Sequence, residues 1–361
     1  MTKNVLLAND TSNWYHYGCT ATSLGIKESL EELGWSVNSL PIIESYKIRH
    51  IPKNIQSFDD PGHFHKFKVE NLEILERVSD SERLIINGEG TLHGLKPVTI
   101  GLLYLAYIAK KKLHKNVSVI NHSCYPSSQG VYNPQGQAEL LYGKVYSSLD
   151  FIATREPLSF RYLEKMAVSS TLAFDCMPLF ISRNFDLTTI KPKRKIVLAG
   201  CVSVNKQMLE VYSRLINTLK NENVSVEVLT GAAANPARDE GIFISQLSES
   251  CPTGWKIVNA RSLSEWLLCI GEAQLLVSGR FHHTIAASCL GTPFIAFESN
   301  TPKISGLFEL LEQKPPLSTS DPELLKKTFA LVDARFGQRH APEDVLQELG
   351  ALAGNNFLPF R

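Results

Sequence analysis

LLVSGRFHHTIAASCLGTPFIAFE, residues Leu275–Glu298, writes a strand, a turn, a helix and a second strand in one line. Leu275–Ser278 is a short apolar run, and the turn reaches His283. The helix that follows is stopped by Gly291, and Pro293 precedes another apolar run. A strand feeding directly into a helix is the unit of a parallel sheet with crossover helices. The turn sits at a helix N-terminus, where free N–H groups and the dipole favour an anion by ~0.3–1 kcal/mol. Arg280 adds a guanidinium fork matched to carboxylate or phosphate. His282 and His283 can donate or accept protons, since an unperturbed histidine titrates near ~6.5. A purely structural account pairs Arg280 with an internal acid and packs one histidine. Burying an unpaired guanidinium costs several kcal/mol, and no acid lies nearby in sequence before Glu298, so an anionic ligand is the stronger expectation.

Working outward, short apolar runs alternate with longer segments of helical period on both sides of this stretch. In the first half the strands are Val5–Ala8, Trp35–Leu40, Arg83–Ile86, Val117–Asn121, Phe151–Thr154 and Leu172–Phe174. The helices are Thr20–Leu33, Thr99–Leu113 and Leu158–Met166. Ser182–Arg194 (SRNFDLTTIKPKR) is polar, contains Pro192 and keeps neither period, so it reads as a linker. Beyond it come strand Ile196–Ala199, helix Gln207–Lys220, strand Val224–Leu229, helix Ile242–Ser248, strand Trp255–Val258 and helix Leu263–Ile270. The chain from Asp321 onward is helical in pattern. At 361 residues, this predicts two α/β domains: residues 1–182, a linker at 183–194, and residues 195–361 with terminal helices. Each is a doubly wound, Rossmann-like sheet, and the two face a cleft, with ligands beyond the carboxyl ends of the strands. Tyr46–Lys68, with Pro52, Pro61 and Gly62, reads as a long loop. Asp59, His63 and His65 there have a metal-like spacing, but a solvated loop is the commoner use, and no metal site is assigned.

Three further turns lie at strand ends. INGEGTLHG, Ile86–Gly94, places Gly88 and Gly90 after an apolar strand, where missing side chains let backbone amides approach a ligand. Glu89 supplies a carboxylate there, Asn87 precedes it and His93 follows, although an ordinary turn stays an open alternative. NDTSNWYHYG, Asn9–Gly18, concentrates Trp14, Tyr15, His16 and Tyr17, whose faces suit sugars but can equally pack under the loop. Asp10 or Thr11 can cap the next helix. ATREPLSFRYL puts Arg155 and Glu156 after a strand, either as a structural pair or as a cleft cation. Lys303, in NTPKISGLFELL, offers a compact positive charge at another strand end.

Composition narrows the classes. Hydrophobic residues make up 43% and charged residues 20%, an ordinary globular balance. Lys and Arg number 37 against 36 Asp and Glu, so a net charge of +1 supplies no field for nucleic acid or anionic lipid, and no nucleic-acid partner is expected. The 7 cysteines are scattered without paired metal-ligand spacing and read as reduced thiols, which predicts a cytoplasmic protein. MTKNVLLAND lacks a signal-peptide pattern, and Val98–Ala109, followed by Lys110–Lys112, is too short to span a ~30 Å hydrocarbon layer. It reads as a buried helix, with no integral membrane segment.

SGRFHHTIAASCLGTPFIAFESNTPKISGLFELL, REPLSFRYL, the NGEG loop and the opening strand and turn, taken together and matching in order over most of the chain, resemble the polysaccharide pyruvyl transferase family. The most specific part is Arg280, Phe281 and His282, then the Gly291–Pro293 turn and Lys303. The resemblance implies a GT-B-like fold, phosphoenolpyruvate as the donor and no separate cofactor or metal. The acceptor is then a sugar of a capsule, exopolysaccharide or other bacterial envelope polymer or its precursor, free, lipid-linked or nucleotide-linked. Two of its hydroxyls receive pyruvate as a ketal, and phosphate is released. By that likeness Ser278, Arg280, Phe281 and His282 meet the donor, with Arg155 and Lys303 as further candidates. Asn9, Trp14, Tyr15, His16, Asn87, Gly88, Gly90 and His93 then face the acceptor. His282, and next His283, are candidate proton carriers, with Glu89 or Asp10 as the partner base. The first turn lacks the Gly-Asp pair of many members, NGEG stands where a glycine run is frequent, and Gly279 precedes Arg280. These departures weaken what can be inferred about the acceptor. Two alternatives stay open: a GT-B glycosyltransferase using a nucleotide sugar, with Glu298 on the ribose, and a non-catalytic saccharide-binding protein. Peripheral association at the inner face of the membrane is also left open.

Overall fold

The computed structural model of the protein describes residues 3–127, 130–201, 204–232 and 238–361. The chain divides into two compact units. One comprises Met1–Trp14, Thr22–Cys176 and Gly350–Arg361; the other comprises Tyr15–Ala21 and Met177–Leu349.

Strands β1 (Asn4–Asp10), β2 (Ser36–Pro41), β3 (Arg83–Asn87), β4 (Asn116–His122), β5 (Phe151–Thr154) and β6 (Thr171–Leu172) form the first unit's sheet. Their order is β2-β1-β3-β4-β5-β6, and every neighbouring pair is parallel. Val5, Leu6, Leu7, Leu84, Ile85 and Ile86 are fully buried, as strands covered on both faces require. Each such side chain contributes about 1.5–3 kcal/mol of burial free energy. Helix Pro97–Lys111 buries nearly its whole length from Val98 to Ala109 and ends in Lys110 and Lys111, which complement its C-terminal dipole. Among the described residues no helix is long and apolar enough to cross a membrane.

The second unit's sheet contains β7 (Lys195–Cys201), β8 (Ser225–Leu229), β9 (Lys256–Val258), β10 (Leu275–Gly279) and β11 (Phe294–Ala296), again all parallel, in the order β11-β10-β7-β8-β9. In both sheets the winding reverses once, between β1 and β3 and between β7 and β10. Crevices at such reversals are where doubly wound sheets bind ligands.

Several boundaries differ from the sequence-based expectation. The expected loop at Tyr46–Lys68 contains a 3₁₀ turn, Gln56–Phe58, and most of helix Pro61–Glu70. Pro61 starts this helix instead of breaking a chain, because its missing N–H falls where no helical partner exists. Asp60 caps the helix by accepting the Gly62 N–H at 2.9 Å. The helix also removes the premise of a shared face for His63 and His65, since residues two apart on a helix diverge. Asp59 is taken up by the Tyr107 hydroxyl at 2.5 Å and by Lys144. Helices Leu72–Asp80 and Gln137–Tyr146 were not anticipated. The segment expected to link the domains includes the end of helix Met177–Asn184 and a 3₁₀ turn, Leu187–Thr189.

Two short stretches lie across the expected domain division. Gly350–Arg361 clusters with the first unit, and Tyr15–Ala21 with the second. The first assignment has a clear cause. Asn356 accepts the Asn121 N–H at 2.7 Å and donates to the Phe174 carbonyl at 2.8 Å, and Trp35 donates its indole N–H to the Phe360 carbonyl at 2.9 Å.

Candidate active site

Strand β10 ends at Gly279, and the chain passes through Arg280 into helix Phe281–Cys289. Gly279 is required there: a Cβ would stand 2.0 Å from Cys201 Sγ at the end of β7. The turn is pinned by its own polar groups. Ser278 Oγ accepts the Arg280 N–H at 2.9 Å, and the Arg280 carbonyl accepts the Thr284 N–H and hydroxyl at 3.2 and 3.0 Å. The absence of a nearby acid in the sequence proved misleading. Glu240, on helix Arg238–Ser250, brings Oε1 to 3.7 Å from Arg280 Nη2, and that same oxygen accepts the Gly231 N–H at 2.8 Å. Arg280 is therefore held beside an internal carboxylate, at a separation longer than a charge-assisted hydrogen bond of about 2.7–2.9 Å.

The two histidines differ. His283 is buried at 4% exposure, its ring edge-on to Trp266 at 4.9 Å, and its Nε2 accepts the Trp266 indole N–H at 3.3 Å. Burial, reinforced by Arg280, His16 and His282, drives its pKa well below the ordinary value. It is a neutral imidazole with the proton on Nδ1. His282 is only half-buried and packs against Gly18, where a Cβ would stand 2.2 Å from its own Cβ. Phe281 is buried, and Lys303 Nζ lies 5.6 Å from its ring centroid, a cation–π contact at the start of helix Lys303–Leu310. His16 bridges to Ala232, and the Tyr15 ring lies 4.1 Å from that of His16. These two residues, expected on the acceptor side, thus belong to the second unit.

In the first unit β3 ends in Asn87, and β1 and β4 carry Asn9 and Asn121 one residue before their ends. Asn9, at φ 59°, donates to the Asn87 carbonyl at 2.7 Å and the Glu89 carbonyl at 3.3 Å. Asn87 Oδ1 accepts the Glu89 N–H at 3.1 Å and Asn121 Nδ2 at 3.1 Å. A Cβ on Gly88 would stand 2.6 Å from that of His122, so this position also admits only glycine. Gly90, at φ 64°, is exposed, and His93 lies beside Lys96 with 3.3 Å between their side-chain nitrogens.

Arg155 is 1% exposed. It donates to Asp175 Oδ2 at 2.7 Å and to Ser123 Oγ at 2.8 Å, and it stands 4.0 Å from Glu89 Oε1. Its structural partner is thus Asp175, while Glu156 caps helix Pro157–Lys165 by accepting the Ser159 N–H at 3.0 Å. Asp10 accepts the Ser12 N–H at 2.8 Å and its hydroxyl at 3.0 Å, and lies 3.5 Å from Lys27.

A sequence model of the polysaccharide pyruvyl transferase family matches residues 20–301. The chain belongs to that family. No curated protein matches it by sequence. Solved structures share its fold at low identity. The UDP-N-acetylglucosamine 2-epimerase of Rickettsia bellii is 12% identical with a TM-score of 0.57, over 100% of this chain and 96% of that one. Acinetobacter baumannii MurG is 14% identical with a TM-score of 0.50, over 98% and 95%. Phytolacca americana UGT2, complexed with UDP-2fluoro-glucose and pterostilbene, is 11% identical with a TM-score of 0.50, over 98% and 94%. This pyruvyl transferase family member therefore has a GT-B-like fold of two parallel α/β sheets.

Each unit of this family member gathers its own set of candidates. Ser278, Arg280, Phe281, His282, His283 and Lys303 converge with His16 in the second unit, and Asn9, Asn87, Gly88, Glu89 and Arg155 in the first. Sequence reasoning missed Glu240, Trp266, Asp175 and Asn121. The recurrence of asparagine at strand ends, in LAND, IING and VINH, was the available signal for Asn121. The others are long-range neighbours with no local mark.

Proposed function

We propose that this protein transfers the pyruvyl group of phosphoenolpyruvate to two hydroxyls of one sugar in a cell-surface polysaccharide or its precursor, releasing phosphate. Family membership supplies the reaction class. The observation that carries the donor assignment is Arg280 at the N-terminus of a buried helix, at the winding reversal of its sheet. Arg280, Lys303 and the N-terminal end of helix Phe281–Cys289, with its positive dipole, hold the carboxylate and phosphate of phosphoenolpyruvate.

His282 protonates the methylene carbon C3 while the first sugar oxygen attacks C2, its proton passing to a base. Of the first unit's two candidate carboxylates, Asp10 is engaged in closing its own turn through Ser12, which leaves Glu89 for proton work. The tetrahedral C2 then loses phosphate as the C–O bond breaks. The second hydroxyl attacks C2 and gives up its proton, closing the ketal. His283, held neutral against Trp266, supports His282 without taking up a charge. Arg155 orients Glu89 from its place beside Asp175. The acceptor is addressed by the first unit. Seven buried cysteines without a disulfide among the described residues fit the reducing cytoplasm.

The test combines purified protein, phosphoenolpyruvate and a panel of bacterial surface-polysaccharide sugars, with phosphate release and acceptor mass followed together. The expected result is one pyruvate ketal per acceptor, lost in Arg280→Ala and reduced by roughly 10²–10⁴ in His282→Ala. Phosphoenolpyruvate that fails to bind, while a nucleotide sugar binds and reacts, overturns the proposal.

A further inference from the structure

Tyr46, Trp14 and Glu89 each follow the carboxyl end of a strand, and those strands, β2, β1 and β3, are consecutive in the sheet. Adjacent strands are about 4.8 Å apart, so the three side chains rise from one short edge. The Trp14 and Tyr46 rings are parallel to within 7°, with centroids 6.3 Å apart. Tyr46 is 57% exposed, although most tyrosines of this unit's core are fully buried. Its placement is nonetheless braced. Ile42 is buried and accepts the Tyr46 N–H at 3.1 Å, Ile48 packs against Gly101, and Asn71 holds both the N–H and the carbonyl of Arg49 at 2.9 and 3.0 Å. Glu44 is tied to Arg77 at 2.8 Å. A ring presented to water on a fixed base loses little freedom when it binds a ligand. Burial and the nearby Glu89 raise the Tyr46 pKa, so its hydroxyl stays protonated and can donate.

A pyranose offers an apolar face of C–H bonds with hydroxyls at its rim, which this group matches with an aromatic face, a phenol and a carboxylate. We propose that Tyr46, with Trp14 beside it and Glu89 at its edge, is a stacking platform for the acceptor's pyranose ring and determines which sugar is accepted. This rests on the acceptor role given above to the first unit.

The experiment needs no turnover. Protein without phosphoenolpyruvate is titrated with methyl α-mannopyranoside, methyl β-galactopyranoside and methyl N-acetyl-β-glucosaminide while tryptophan fluorescence is followed. At least one probe changes the emission saturably, and Trp14→Phe removes that change. Tyr46→Ala weakens its binding by about tenfold or more, Tyr46→Phe keeps it within about threefold, and Val69→Ala, exposed on another helix, leaves it unaltered. In the coupled assay Tyr46→Ala raises KM for the sugar and not for phosphoenolpyruvate. Equal affinity in Tyr46→Ala and the parent protein, or no binding of any probe, overturns the platform. Probe binding that depends on Tyr46 without any ketal formation instead overturns the proposed reaction and leaves the platform standing.

Discussion

Replacing Arg155 by methionine removes the counter-charge of two buried carboxylates while keeping much of the side chain's length. Arg155 Nη1 lies 2.7 Å from Asp175 Oδ2 and 4.0 Å from Glu89 Oε1, with side-chain exposures of 1%, 0% and 5%. At an effective dielectric of ~20 the shorter contact alone is worth about 6 kcal/mol of Coulomb attraction, most of it offset by the desolvation of both ions. Removing one partner leaves the other ion buried and uncompensated, which costs about 3–5 kcal/mol, a large share of the ~5–15 kcal/mol that holds a typical domain folded. Urea unfolding followed by far-UV circular dichroism measures the loss. The double variant Arg155→Met/Asp175→Asn recovers a large part of it, because the closer of the two carboxylates no longer carries a stranded charge. A loss below about 1 kcal/mol in Arg155→Met, combined with a raised KM for phosphoenolpyruvate, refutes this positioning role and returns Arg155 to the donor.

Two glycines should respond in opposite senses to alanine. At Gly279 the new Cβ meets Cys201 Sγ at 2.0 Å and Cys201 Cα at 3.2 Å, an overpacking expected to cost about 1–3 kcal/mol in thermal unfolding. At Gly241, inside helix Arg238–Ser250, nothing lies within 4 Å of the new Cβ, and alanine should stabilise by about 0.5–1 kcal/mol. Stability should also fall in mild acid. Burial depresses the His122 pKa to about 3, so His122 is neutral when folded, whereas in the unfolded chain it titrates near ~6.5. Its contribution is complete above that value and declines by about 1.4 kcal/mol per pH unit as pH drops toward 3. Urea titrations at several pH values should show one proton less of slope in His122→Leu; an unchanged slope contradicts the assignment.

Local signals carried much of the architecture. Apolar runs such as Ile196–Ala199 and Leu275–Ser278 announce buried parallel strands because their period is set within a few residues. The Ser278–His283 turn was legible for the same reason: strand, glycine, arginine and helix start are contiguous. Helix Pro61–Glu70 was not, because Pro61 marks a break or a first turn according to whether its neighbour caps it, and Asp60 does.

By itself the sequence determined two parallel α/β sheets, the family, and a strand–turn–helix that sets Arg280 at a helix start, all consequences of hydrophobic period and turn chemistry acting over short spans. The tertiary structure decided which charge faces which. Glu240 stands beside Arg280, Asp175 beside Arg155, Trp266 against His283 and Tyr46 against Trp14. Those pairings follow from strand order and crossover packing, which juxtapose residues far apart in the chain and leave no mark in any local stretch of it.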